Sequence, residues 1–270
     1  MTRSLARLFA AAALTLCLAP AAVAQDDDDP AVLKPAEPDF ALGSLPTNLR
    51  LPVYKSAFRL THRFLGPLDE NGIGDLWGMD VGAQIGLEYR FGIIKNGQIG
   101  FYRTSDKTID LFAQYSVTRQ EKGALPLDIS AAFAIEGTNN FQDSYSPSLG
   151  AIISRRLGDH GALYLTPTWV NNSNAEPKEL VEHNDTFMMG IGGRVRIRPT
   201  VYLMAEVTPR LSGYKPNTSQ ASFAIEKRAG GHMFQLNFSN GFATMPASLA
   251  RGAYSNDHWY MGFNLTRKFY

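Results

Sequence analysis

Residues 79–91 read "MDVGAQIGLEYRF". Val81, Ala83, Ile85, Leu87, Tyr89 and Phe91 fall on one side of a period-two pattern. Asp80, Gly82, Gln84, Gly86, Glu88 and Arg90 fall on the other. A strand sends successive side chains to opposite faces, so this segment has one apolar face and one polar or small face. Helical spacing would mix the two sets. The pattern recurs in "TIDLFAQYSV" (108–117), "LDISAAFAIE" (127–136), "TFMMGIGGRVRIR" (186–198) and "VYLMAEVT" (201–208).

Such runs predict about twelve strands of roughly ten residues, the length a tilted strand needs to cross a bilayer. They lie near Tyr54–Phe64, Asp80–Phe91, Gln98–Tyr102, Thr108–Arg119, Leu127–Gly137, Tyr145–Arg155, Ala162–Val170, Thr186–Arg198, Val201–Ser212, Ser219–Lys227, His232–Ser239 and His258–Phe269. The connections sort by length. Every second one is a short turn, such as "GIIKNG", "RLGDH" or the bare Pro199-Thr200. The intervening ones are longer, such as "LGPLDENGIGDLWGM" and "NGFATMPASLARGAYSN", with "RTSDK" the short exception. Short periplasmic turns facing long outer loops are the asymmetry of outer-membrane barrels. The expected fold is therefore all-β, a closed antiparallel transmembrane β-barrel. The mean hydropathy of −0.16 is no obstacle. Lipid-facing and lumen-facing residues alternate in a barrel, and their average is bland.

The last strand ends at the chain terminus. Trp259, Met261, Phe263, Leu265 and Phe269 share its apolar face. It must pair with the first strand, because an open edge cannot stand in lipid. An amphipathic C-terminal strand ending in an aromatic also resembles the signal read by the barrel-insertion machinery. Here the in-register aromatic, Phe269, is followed by one further residue, Tyr270.

The other end begins "MTRSLARLFAAAALTLCLAPAAVAQ". A basic start, an apolar run from Leu8 to Leu18 and the small-residue site Ala22-Val23-Ala24 predict a secretory signal peptide over 1–24. The single cysteine, Cys17, leaves with it, so neither a disulfide nor a thiolate metal site is expected. Residues 25–50 start with an acidic run, Asp26 to Asp29, and are rich in proline. They are expected to be a flexible periplasmic tail, with the barrel over 51–270.

The stretch "FAIEKRAGGHMFQLNFSNGFATMPASLARG", followed by "WYMGFNLTRKF", resembles an uncharacterised family of predicted bacterial outer-membrane β-barrel proteins, as does the opening "LPVYKSAFRLTHRF". The resemblance implies a barrel from about Leu51 onward and no assigned reaction.

Candidate chemistry is sparse. A formal charge of +1 argues against nucleic acid, which needs a strongly basic face. "NFSNG" (237–241) shares Ser-Asn-Gly with a His-x-Ser-Asn-Gly motif of outer-membrane phospholipases, but Asn237 stands where the general base belongs. An amide cannot take the serine proton, so no enzyme activity and no catalytic residue is expected. The histidines His62, His160, His183, His232 and His258 form no metal-spaced pair, and no metal or cofactor is expected. His62 falls on the apolar face of its strand, where a structural role is expected.

The polar faces predict a charged lumen lined by Arg59, Glu88, Arg90, Asp110, Glu136, Arg194, Arg196, Arg198, Glu206, Glu226 and Arg228. Arginines facing lipid would cost a few kcal/mol each, so Arg194, Arg196 and Arg198 must face inward. They fall near the periplasmic mouth, with Glu206 as the expected partner across the Pro199 hairpin. Two readings follow: a salt-bridged plug of side chains, or a selectivity ladder for anions.

The function expected from these features is a narrow outer-membrane channel or transport component for small polar solutes. A non-conducting docking barrel whose outer loops bind a partner is the alternative, and a lipid-modifying enzyme the remote one. The expected partners are outer-membrane lipid, the insertion machinery and a small polar solute.

Overall fold

A computed structural model describes residues 36–120, 125–174, 184–253 and 257–270. Twelve antiparallel strands form one ring. They are β1 (Ser56–Pro67), β2 (Ala83–Ile94), β3 (Gly97–Thr104), β4 (Ile109–Thr118), β5 (Asp128–Gly137), β6 (Asp143–Arg156), β7 (Gly161–Asn171) and β8 (Asp185–Arg198). They continue with β9 (Val201–Thr208 and Arg210–Gly213), β10 (Gln220–Ala229), β11 (His232–Ser239) and β12 (Tyr260–Phe269). The two pieces of β9 lie along the same neighbour, β8, and are separated by Pro209. Proline has no N–H to give a ladder, but the Pro209 carbonyl still accepts from Met189 N at 2.9 Å.

Closure comes from β12 against β1, in the register Leu60↔Leu265 and Arg59↔Thr266. No edge remains unpaired in this ring. The expected strand number and order hold. The third strand, expected over 98–102, runs two residues further at its C-terminal end, to Thr104. Its extension pairs Thr104 with Gly86 and Arg103 with Leu87.

The two faces are those that alternation dictates. Leu87, Phe101, Leu111, Phe133, Leu149, Leu165, Ile191, Leu203, Phe223, Phe234 and Phe263 stand outward and exposed. They form the band that a bilayer covers. His62 stands among them, stacked on Phe263 at 4.7 Å and close to Phe64 at 4.4 Å. The inward face carries the polar residues, most of them buried.

The N-terminal segment corrects the expected tail. Residues 1–35, including the acidic run, lie outside the described residues. Residues 36–51 do not trail into solvent: they form a tight finger inside the lumen, and all but Pro46 and Arg50 are buried. Its arms are tied by Leu42 N to Leu45 O at 2.8 Å and Thr47 N to Phe40 O at 2.9 Å. The reason is apolar content. Phe40, Leu42, Leu45, Leu49 and Leu51 are each at most 4% exposed. Burying such a side chain is worth about 1.5–3 kcal/mol, which offsets part of the cost of ordering the chain, and hydrogen bonds to the wall add to it. The wall makes room with glycine: a Cβ on Gly192 would lie 2.5 Å from Leu42 Cδ1. The barrel unit therefore begins at least at residue 36 rather than at 51.

A second insertion comes from the long connection between β11 and β12. It carries the short helix α1 (Pro246–Arg251), whose Ala247, Leu249 and Ala250 are buried. The finger tip meets this loop where Ser44 Oγ donates to the Ala243 carbonyl at 2.8 Å. Lumen space is thus shared by a finger from the short-turn mouth and a loop from the long-loop mouth.

Tyr270 now has an explanation. Phe269 faces outward, while Tyr270 turns in and packs on Phe40, Leu49, Leu51 and Ala57 at the base of the finger. The extra residue beyond the lipid-facing aromatic seals the finger.

Candidate functional site

The lumen is built from the inward positions of every strand. Of the eleven residues expected to line it, Arg59, Glu88, Arg90, Asp110, Glu136, Arg194, Glu206 and Glu226 are buried inside the barrel. Arg196 and Arg228 are half-buried and Arg198 is exposed. These three stand at the short-turn end, beside the Pro199-Thr200 and Gly230-Gly231 turns.

One wall, β8 to β11, is organised around the finger. Arg194 Nε and Nη2 bond Glu226 at 2.5 and 2.9 Å, and Nη2 also donates to the Ala41 carbonyl at 2.7 Å. Gln235 joins the pair, donating to Glu226 at 2.7 Å and to the Leu42 carbonyl at 3.1 Å. The expected partner of Arg194 was Glu206, and the register corrects this. Arg194 stands opposite Met204, and Glu206 stands opposite Gly192, two residues further up the ladder. Glu206 instead receives three successive amides of the finger tip: Gly43 N at 3.2 Å, Ser44 N at 2.7 Å and Leu45 N at 3.1 Å. Ser222 Oγ adds a fourth donor at 2.8 Å. A carboxylate held by backbone N–H groups needs no cation to be satisfied.

The opposite wall, β1 to β5, pairs its charges mainly with one another. Arg90 bonds Glu88 at 2.7 and 2.9 Å, and its guanidinium lies 5.1 Å from the Phe40 ring and 4.7 Å from the Phe112 ring. Arg59 reaches Glu88 at 3.8 Å and the Gly43 carbonyl at 2.6 Å. Glu136 is met by Arg251 of α1 at 2.6 Å. Asp110 is buried in the same row, and neither of its oxygens has a hydrogen-bond partner.

At the base, Asn48 of the finger donates to the Asp128 and Ile152 carbonyls at 3.1 Å each and to Ser154 Oγ at 2.8 Å, and accepts from Ser130 Oγ at 2.5 Å. Arg156 closes this corner with Asp128 at 3.0 Å.

Sequence reasoning missed several lumen residues. Arg63 is 2% exposed and donates to Asn264 Oδ1 at 2.7 Å. It shares parity with Arg59, which could have revealed it. Gln98 and Gln114 carry the finger's backbone, through the Leu49 carbonyl at 3.2 Å and the Thr47 carbonyl at 2.9 Å. Neutral amides attract no notice in a search for charge.

Asn237 and Ser239 of the "NFSNG" stretch are both buried on the lumen side of β11. Ser239 Oγ accepts from Gly241 N at 3.2 Å. His232 sits at the opposite end of that strand, so base and nucleophile do not meet. His258 lies with Asp69 at 3.0 Å and Glu70 at 3.7 Å, an exposed group on the long-loop side. His183 lies outside the described residues. Trp259, Met261, Phe263, Leu265 and Phe269 all stand on the outward side of the closing strand.

Residues 45–269 match the family described as a membrane-bound beta barrel domain (DUF5777). The match covers most of the chain, which therefore belongs to that family and is a membrane-bound β-barrel. Among solved structures, the chain is similar to NanC porin at 6% identity and a TM-score of 0.52, over 80% of this chain and 100% of that one. It is similar to KdgM porin, solved with disordered oligogalacturonate, at 7% identity and a TM-score of 0.51, over 80% of this chain and 99% of that one. A triple mutant of Rhodopseudomonas blastica porin aligns at 13% identity and a TM-score of 0.36, over 69% of this chain and 55% of that one. The aligned region thus spans about half the length of that porin. At these identities the likeness is one of fold. A comparison with curated proteins finds no match.

Proposed function

We propose that this family member is an outer-membrane channel component for small polar solutes, held closed by its own N-terminal finger. The observation that carries the reading is the contrast between wall and filling. The wall is polar over most of its inner surface, with charged side chains on β1, β2, β4, β5, β8, β9 and β10, as the wall of an aqueous path is. The finger that occupies it is a separate segment, joined to β1 through residues 52–55, and many of its wall contacts are hydrogen bonds to its backbone. Such bonds exchange for water at small net cost, about 0.5–1.5 kcal/mol each, so the main cost of withdrawal toward the short-turn mouth is exposure of the five apolar side chains of the finger.

The orientation follows from loop length, with the short-turn mouth periplasmic and the long-loop mouth external. The test is planar-bilayer recording of the full chain beside a variant lacking residues 36–50. Current from the variant and none from the full chain supports the reading. Silence from both, in protein shown to be inserted, overturns it.

In that second case the docking alternative gains ground, and one observation favours it. Helix α1 is pinned across the lumen by Arg251 to Glu136 and by its own buried face. That gives the external surface a rigid platform. Recovery with outer membranes and resistance to carbonate extraction test the location for either reading.

A further inference from the structure

Four residues stand side by side across β2 to β5 at one level of the lumen. The register pairs Glu88 with Tyr102, Tyr102 with Asp110 and Asp110 with Glu136. Three of the four are carboxylates. Glu88 has Arg90 and Arg59, and Glu136 has Arg251. Asp110 is 1% exposed, and neither carboxylate oxygen has a partner. The Tyr102 hydroxyl is already committed to Thr61 at 2.6 Å and Thr244 at 2.7 Å. A carboxyl group desolvated to this degree is costly to ionise without a counter-charge, by several kcal/mol.

Asp110 also faces space. A cavity of ≈ 190 Å³ lies between β3, β4 and β5 and the inserted loop, lined by Asp110, Glu136, Thr104, Thr108, Phe242 and Ser248. Gln84 and Asp106, at the long-loop ends of their strands, line it as well, so it belongs to the external half of the lumen.

We propose that this vestibule binds a small organic cation carrying a primary ammonium group, seated on Asp110. The ammonium supplies the missing counter-charge and three N–H donors, which suit the Asp110 oxygens and the neighbouring threonine and serine hydroxyls. Phe242, Ala243 and Met245 offer an apolar side for a short alkyl chain. A divalent metal fits less well. Among the described residues, the His and carboxylate group whose ligand atoms converge within 4.8 Å is Asp69, Glu70 and His258, at the surface and not in this row. The inference deepens the channel reading by naming a solute class, and rests on it only in treating the bound cation as cargo.

The test is thermal unfolding of the full chain in detergent, titrated with ethylammonium, tetramethylammonium or calcium chloride at constant ionic strength. The unfolding temperature is expected to rise with ethylammonium concentration and to ignore the other two. Asp110→Asn should abolish that rise. Thr108→Leu, which narrows the vestibule without touching the carboxylate, should weaken it and keeps the test decisive if the first variant fails to fold. No response in the native chain overturns the site, as does an undiminished response in either variant. An equal response to calcium or tetramethylammonium also overturns it, the first pointing to a metal and the second to general charge. Binding here requires no current. A barrel that stays silent even without residues 36–50, while its full chain binds ethylammonium, would sink the channel reading alone, and one that conducts without them, while its full chain does not bind, would sink the site alone.

Discussion

The two walls of the lumen carry similar charge and settle it differently. On the β8–β11 side every buried ion has a fixed partner: Arg194 has Glu226, and Glu206 has three amides of the finger. On the β2–β5 side three carboxylates stand in a row with counter-charges for two of them. Charges that hold the chain to itself are structure. A buried charge facing a cavity with no partner is available for something else. The contrast separates the part of the lumen that builds the plug from the part that can receive a solute.

The hardest blow to this contrast would come from Arg194. Arg194→Met leaves Glu226 completely buried with Gln235 as its remaining partner. Removing one member of a buried pair costs about 3–5 kcal/mol. Urea unfolding in lipid vesicles should show that loss, and Arg194→Met combined with Glu226→Leu should recover most of it. On the other wall, Asp110→Asn replaces a buried carboxyl group that has no hydrogen-bond partner, so its stability should equal or exceed that of the native chain. If both single variants lose stability alike, the walls do not differ in the way described.

A smaller effect is expected where the finger tip meets Glu206. Glu206→Gln keeps the shape but turns one carboxylate oxygen into an amide that cannot accept from the tip. A loss of about 1–3 kcal/mol is expected. Its signature should be local, with faster proteolysis within residues 36–50 while the barrel persists. Gly192→Val should act on the same finger from the position beside Glu206 on the same wall, by crowding Leu42. Intact protection of the finger in both variants would mean that its place is set at the base, by Asn48 and Tyr270, rather than at the tip.

The sequence revealed the barrel because alternation is a property of single strands and survives without knowledge of neighbours. It also revealed the inward set, since Glu88, Asp110 and Glu226 follow from parity alone. Partner choice was not legible. Whether Arg194 meets Glu206 or Glu226 depends on the cross-strand register, which the Pro199 hairpin shifts between Arg196 and Arg198. The finger was misread for a different reason. Its proline and acidic flanks outweighed the spacing of Phe40, Leu42, Leu45, Leu49 and Leu51. Composition reports whether a segment can fold on its own, and this one is buried by a cavity that other segments make.

The smallest effect is expected at Arg196, and it marks where the paired wall ends. Arg196 is half-buried beside the short turn, opposite Tyr202, with its backbone N–H bonded to the His160 carbonyl at 2.7 Å. Tyr202 lies among Arg194, Arg196, Arg228 and Glu226, with Arg194 and Glu226 paired to each other. Water reaches Arg196, and its field on the others is screened over about 8–10 Å at ordinary ionic strength. Arg196→Glu leaves the backbone bond in place and reverses a half-buried charge at the mouth. The unfolding free energy should stay within about 0.5 kcal/mol of the native value, the usual range for substitutions away from buried features. Any change should fade as salt is added, because a charge that water reaches is screened. Ethylammonium binding at the far vestibule should be unaltered. A loss approaching that of Arg194→Met would extend the paired network to the mouth, and would make Arg196 part of what holds the finger rather than part of the rim around it.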